Sequence, residues 1–247
     1  MSRDGIFVPV SGVSEETGLP VTLFDYLNPD EDTLIIKNVP ELHRKYKAAI
    51  LTGTKRLSHN WQLMASYVYS KSTGNVDNQS FSSTSGGNAP SSWLDTPNSL
   101  ANSEGKLTYD NTHQVKLQAQ YVIPQWNMTF SGNYWYITGD TWTKRDNCLL
   151  VDDGGGGTTC YDFNQGSVRY FAEPRGSERL PARNELDFRA EWFHVFQGSG
   201  RLGLMVDVFN IFNQYRPTDV STIGSTIGQP ETVSFPRTIR LGMRYGF

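Results

Sequence analysis

Nowhere in this 247-residue chain do apolar residues run for the roughly 18 positions that a membrane-spanning helix requires. The opening residues, Met1-Ser2-Arg3-Asp4-Gly5-Ile6, lack a charged stretch followed by an apolar core, so no signal peptide is visible. If the chain is exported, its signal is expected upstream of Met1. Charge is scarce too. Charged residues make up 19% and the formal net charge is −3, which removes the basic footprint of a nucleic-acid binder. Histidine occurs four times, at 43, 59, 113 and 194, and no Ser/His/acid set shares one expected rim, so no hydrolase is expected. No catalytic residue, cofactor site or metal site emerges, and the chain is read as not an enzyme.

What is present is aromatic. Phe, Trp and Tyr reach 13%, with 12 Tyr and 6 Trp in a chain whose mean hydropathy is −0.47. A polar average with many Tyr and Trp suits membrane strands, which need apolar residues only at alternate positions and amphipathic rings at the interfaces.

Period-two alternation is the dominant pattern. Val115, Leu117, Ala119, Tyr121 and Ile123 alternate with Gln114, Lys116, Gln118, Gln120 and Val122. After the break at Pro124 and Gln125, Met128, Phe130, Gly132, Tyr134 and Tyr136 alternate with Asn127, Thr129, Ser131, Asn133 and Trp135. Similar runs occupy 61–70, 185–192, 202–208 and 238–247, and a seventh with poorer alternation spans 46–57. A strand sends these two sets to opposite faces.

Short breaks at 58–60, 124–125 and 197–200 alternate with long segments at 72–111, 143–183 and 214–234. Structureless loops of that length are uncommon in compact domains, whereas short turns at one rim and long loops at the other mark bacterial outer-membrane barrels. On this basis the short turns are expected in the periplasm and the long loops outside. On the apolar parity, Trp61, Trp126, Trp192, Tyr121, Tyr245 and Phe247 fall near the short-turn ends. Tyr67, Tyr69, Tyr134, Tyr136 and Phe212 fall toward the long-loop ends. Two aromatic belts at interfacial heights are implied. A soluble β-protein also alternates, but its apolar face is a Val/Ile/Leu core that does not sort Trp and Tyr to the strand ends.

Certain residues match a known family. Val206-Asp207-Val208-Phe209-Asn210-Ile211-Phe212-Asn213 resembles the penultimate strand of TonB-dependent receptors. Pro236-Arg237-Thr238-Ile239-Arg240-Leu241-Gly242-Met243-Arg244-Tyr245-Gly246-Phe247 looks like their closing strand. Lys55-Arg56-Leu57-Ser58 with Trp61 to Lys71 is similar to a hairpin of the Oar-like receptors, which carry a carboxypeptidase-regulatory-like domain. The resemblance covers about residues 44–247. It implies an all-β, antiparallel up-and-down transmembrane barrel of 22 strands, of which this chain supplies about the last seven. It also implies a plug and further strands in missing N-terminal parts, TonB as the energy-delivering partner through those parts, and uptake of a bulky solute. Residues 1–45 resemble an extracellular loop ahead of a descending strand, and 46–247 form the C-terminal part of the barrel. Alternatives are a small independent barrel with 21–26 as an eighth strand, a porin-like barrel, and a surface adhesin acting through its loops.

The polar parity cannot face lipid, where a mid-bilayer Lys or Arg costs about 2–4 kcal/mol. Lys116, Gln118, Gln120, Glu185, Asp187, Arg189, Glu191, Asp207, Arg240 and Arg244 are therefore expected to line the lumen. Trp93, Asp95, Trp142 and Tyr161 are candidate ligand contacts on the long loops. Cys148 and Cys160 flank a Gly-rich stretch and are either a loop disulfide of an oxidising compartment or two unpaired thiols. Asp152-Asp153 before four glycines is either a Ca²⁺ loop or a flexible acidic one, the latter favoured. Tyr245 and Phe247 resemble the terminal signal read by the barrel-assembly machinery. The expected setting is the bacterial outer membrane, with its lipid as the first partner.

Overall fold

In the computed structural model of the chain, residues 2–4, 6–28, 33–35, 40–76, 97–196 and 200–247 are described. Seven long strands build one antiparallel wall: β3 (Arg44–Ser58), β4 (Trp61–Gly74), β5 (His113–Ile123), β6 (Met128–Ile137), β9 (Arg183–Phe196), β10 (Gly200–Phe209) and β11 (Thr238–Gly246). Each pairs with its sequence neighbour in the order β11-β10-β9-β6-β5-β4-β3, and β3 does not pair with β11, so the sheet is open.

The short turns use residues suited to reversing the chain. His59 and Asn60, between β3 and β4, have φ of 52° and 66°, a left-handed pair that matches the twist of a two-residue hairpin. Pro124–Trp126 makes one 3-10 turn that ends on Asn127 at φ 51°. Trp126 therefore sits in the turn and not on a strand, although at the same rim as the belt in which it was expected.

Register fixes which residues share a face. Leu63, Ala119, Gly132, Phe188, Val208 and Ile239 form one continuous row across six strands. Tyr121, Phe130, Ala190, Val206 and Leu241 form the next. Gly132 leaves a gap in its row over which the Phe130 and Phe188 rings stack at 5.9 Å. At one end of this apolar face Lys47 lies opposite Lys71; at the other, Lys55 lies opposite Leu63. Lys55 curls over the Trp61 ring and donates to the Ser58 and Trp61 carbonyls, which keeps its charge out of the apolar band. Eight residues separate Lys47 from Lys55. At about 3.3 Å per residue and a tilt near 40° they span about 20 Å, comparable to an outer-membrane apolar band.

No apolar residue on these seven strands is buried; every buried apolar side chain among the described residues lies outside them. Leu241 and Met243 are 77% and 74% exposed. A soluble sandwich or barrel would bury such a face.

The buried apolar core lies instead in the layer built from the long connections. A hairpin of β1 (Phe7–Ser14) and β2 (Pro20–Tyr26) pairs through β1 with β7 (Leu149–Asp152), which pairs with β8 (Thr158–Cys160). Val21, Leu23, Leu149, Phe163, Val168 and Tyr170 pack together there. Residues 21–26 thus join this loop sheet and not the wall. At Gly12 a Cβ would strike the Leu150 carbonyl and the Leu149 side chain, so the close approach of β1 to β7 requires glycine. The free edge of β2 is covered by amide side chains. Asn98 accepts from the Phe24 N–H and donates to its carbonyl, and Gln165 accepts from the Tyr26 N–H.

Candidate functional site

Two places gather polar chemistry: the polar face of the wall and the loop layer. On the wall, Gln62, Gln120, Ser131, Arg189, Asp207 and Arg240 form one cross-strand row, and Met64, Gln118, Asn133 and Asp187 form the next. Lys116 and Glu185 both lie opposite Trp135, Glu191 opposite Met205, and Arg244 opposite Gly203. All ten residues assigned to the lumen from the sequence thus fall on one parity. A cavity of about 560 Å³ touches this parity from Thr54 on β3 to Asp207 on β10, so the polar face is the concave one.

Asp207 is buried between two arginines. Arg189 Nη2 donates to it at 3.1 Å and Arg240 Nε at 2.9 Å, while Arg244 reaches Glu191 at 2.7 Å. The guanidinium groups remain open to the concave side, so each pair contributes at most about 1 kcal/mol to the wall. Mixed signs at close range suit hydrogen bonding to whatever occupies that side.

In the loop layer, Cys148 and Cys160 are joined as a disulfide. Asp146 accepts from Ser14 Oγ at 2.6 Å, Tyr170 Oη at 3.2 Å, and the N–H groups of Glu16 and Cys148. Burial alone pushes the Asp146 carboxyl up, but these donors together hold it below the ordinary carboxylate range. For Tyr170, burial and then the charge of Asp146 hold the phenol far above its usual range. Asp25 of β2 accepts from Tyr161 Oη at 3.0 Å and from the backbone and side chain of Asn164. The Tyr161 ring meets Phe163 edge-on, so this residue, a ligand candidate by sequence, already ties the loop to the hairpin.

Trp142 lines a second cavity, of about 120 Å³, with Asp140, Thr143, Arg145, Arg175, Asp219 and Thr222 among its neighbours. Trp93 and Asp95 lie outside the described residues. In the Gly-rich segment, Asp153 accepts from the N–H groups of Gly155 and Gly157, which lowers its pKa, and Asp152 accepts from Gly154. The carboxylates are thus engaged by their own turn. Among the described residues, one trio has metal-ligand proximity, Glu15 with Cys148 and Cys160, and disulfide sulfurs are not the thiolates that metals bind.

Residues 29–140 match the family model of the outer membrane beta barrel domain. With the open antiparallel sheet, this makes the fold that of a partial outer-membrane β-barrel. Among solved structures, the crystal structure of the outer membrane transporter YddB from Escherichia coli is similar. Identity is 12% and the TM-score 0.49, with 95% of this chain and 28% of that chain covered. The present chain therefore spans little more than a quarter of that transporter. No curated protein matches. In the barrel, Tyr245 closes the outward row begun by His194 and Leu202, and Phe247 follows the last strand with its ring 6.4 Å from that of Tyr245.

Sequence reasoning missed Arg145 and its surroundings. The available signal was five arginines, 145, 169, 175, 179 and 183, concentrated in the second long segment of a chain with few charges.

Proposed function

We propose that this chain is the C-terminal barrel portion of a TonB-dependent outer-membrane receptor that takes up a bulky solute. The observation that carries the reading is the sequence of the last two strands, Val206 to Asn213 and Pro236 to Phe247, which resembles the closing pair of that family. The open sheet supports it. An exposed edge in lipid leaves N–H and C=O groups unsatisfied at several kcal/mol each, so β3 and β11 need further strands. The mixed-charge concave face then lines a lumen wide enough to hold a plug, with TonB engaging the protein through the same N-terminal parts. In that arrangement the short turns face the periplasm, the loop layer faces outside, and Tyr245 and Phe247 present the terminal signal to the assembly machinery.

The test uses the whole protein purified from outer membranes. It should bind the soluble periplasmic domain of TonB and conduct negligibly in a planar bilayer. Steady ion conductance with no TonB binding would make it a porin-like barrel instead. Absence of both, with loop-dependent adhesion to surfaces, would make it an adhesin.

A further inference from the structure

The loop layer buries a cation, Arg145, that has no counter-charge in contact with it among the described residues. Arg145 begins the two-residue strand Arg145–Asp146, which pairs with Tyr170–Phe171, and the residue is 5% exposed. Its backbone N–H donates to the Thr222 carbonyl, and its guanidinium stands 5.2 Å from the centre of the Phe171 ring. Among the described residues, no carboxylate or carbonyl receives that guanidinium. The other arginines differ. Arg179 is paired with Asp110 at 2.9 Å and donates to the Gly139 carbonyl, and Arg175 donates to the Asn75 carbonyl. Neighbouring Asp146 is consumed by Ser14, Tyr170 and two backbone N–H groups. Burial, and then the like charges of Arg169 and Arg175, push the Arg145 pKa down to about 10, which leaves it charged at neutral pH.

Leaving an ionised group buried without a counter-charge is costly, and a fold rarely sustains it for packing alone. Arg145 opens on the 120 Å³ cavity, which has room for one small charged group. Two further donors stand in its wall. Thr143 Oγ1 accepts from the Gly176 N–H, which leaves its own proton to donate, and Trp142, whose indole carries an N–H, also lines the cavity. The two carboxylates of the wall are held elsewhere: Asp140 accepts from Asn111, Asp219 from the Val220 N–H, and neither forms an ion pair with Arg145.

We propose that this cavity binds an oxyanion group, a carboxylate or phosphate carried by the arriving solute, with Arg145 as its counter-ion. The planar guanidinium fork matches two oxygens of either group, and Thr143 and Trp142 address the remainder. The solute's identity as cargo rests on the receptor reading, but binding is measured without uptake, so the two fail separately.

The experiment takes the whole protein in detergent and follows amide hydrogen exchange across residues 141–146 and 170–176. Acetate or inorganic phosphate is titrated against chloride at matched ionic strength. Protection should rise and saturate with at least one oxyanion and not with chloride. Arg145→Met should weaken that response at least tenfold while the ligand-free loop layer exchanges no faster than wild type. Arg145→Lys, which keeps the charge but not the fork, should fall between. A wild type that treats oxyanions like chloride, or an undiminished response in Arg145→Met, overturns the proposal. So does a loop layer that unfolds in both variants without ligand, since Arg145 would then be structural.

Discussion

Leu117→Arg and Gln118→Arg differ by one residue along β5 and should differ sharply in consequence. Leu117 faces outward between Ala65 and Tyr134, and Gln118 faces the concave side between Met64 and Asn133. Leu117 is the fifth of eleven residues in β5, one step from its centre. At about 3.3 Å per residue and 40° of tilt, it lies about 2.5 Å from mid-bilayer. The cost of Arg there is close to the midplane value of about 2–4 kcal/mol. At 1.36 kcal/mol per decade that is about thirty- to nine-hundredfold in the folding equilibrium. Arg at 118 would face the water-accessible lumen, in the same row as Asp187, and should change stability by less than about 0.5 kcal/mol. Urea-driven unfolding of the complete barrel in lipid vesicles measures both. Equal penalties, or a larger one at 118, would refute the assignment of faces.

Three further outcomes follow from the geometry. Asp207→Asn leaves Arg189 and Arg240 sharing one neutral acceptor and should destabilise the barrel by about 1 kcal/mol, measured in the same vesicles. A double-mutant cycle with Arg240→Gln should recover part of that loss; no coupling would contradict the triad. Replacing Cys148 and Cys160 by Ser opens a bridge of sequence separation 12, worth up to about 3 kcal/mol by loop-closure entropy. The expected result is faster proteolysis within 148–160 at unchanged heat-modifiability of the barrel on gels. The Asp146 carboxyl is held below its ordinary value of 3.8, so its stabilisation of the loop layer is present above about pH 4 and is lost as pH falls through the depressed folded value. Wild type should resist pepsin at pH 4 and become susceptible as the pH is lowered further, whereas Asp146→Ala, lacking about 2–3 kcal/mol of loop-layer stability, should already be cleaved at pH 4.

The wall was legible in the sequence because each of its strands carries its own evidence. In β5, β6, β9, β10 and β11 one parity meets lipid and the other water, so the alternation survives along most of each strand. The observed strands mostly outrun the readable pattern. β9 begins at Arg183 and ends at Phe196, beyond 185–192, because ladder hydrogen bonds continue where the side chains no longer alternate. In β3, Ile50 and Leu51 are both apolar and both exposed, and only pairing with β4 identifies the faces. The loop layer was illegible for a different reason. Its stability comes from contacts between residues far apart in the chain, such as Ser14 with Asp146 and Asp25 with Tyr161, and no local period encodes those. Trp142 could be singled out as an aromatic on a long loop. Arg145 could not, because what sets it apart is that no counter-charge meets its buried guanidinium among the described residues, a property of the folded environment alone.

The claim on which everything else depends is that the odd positions of β5 meet lipid. Nitroxide labels placed singly at 114–121 in the complete protein, with the Cys148–Cys160 bridge intact, report it through collision with lipid-soluble oxygen and a water-soluble nickel chelate. Oxygen access should peak at 115, 117, 119 and 121, and chelate access at 114, 116, 118 and 120. Low oxygen access at the odd positions, as in a protein core, would contradict a membrane wall.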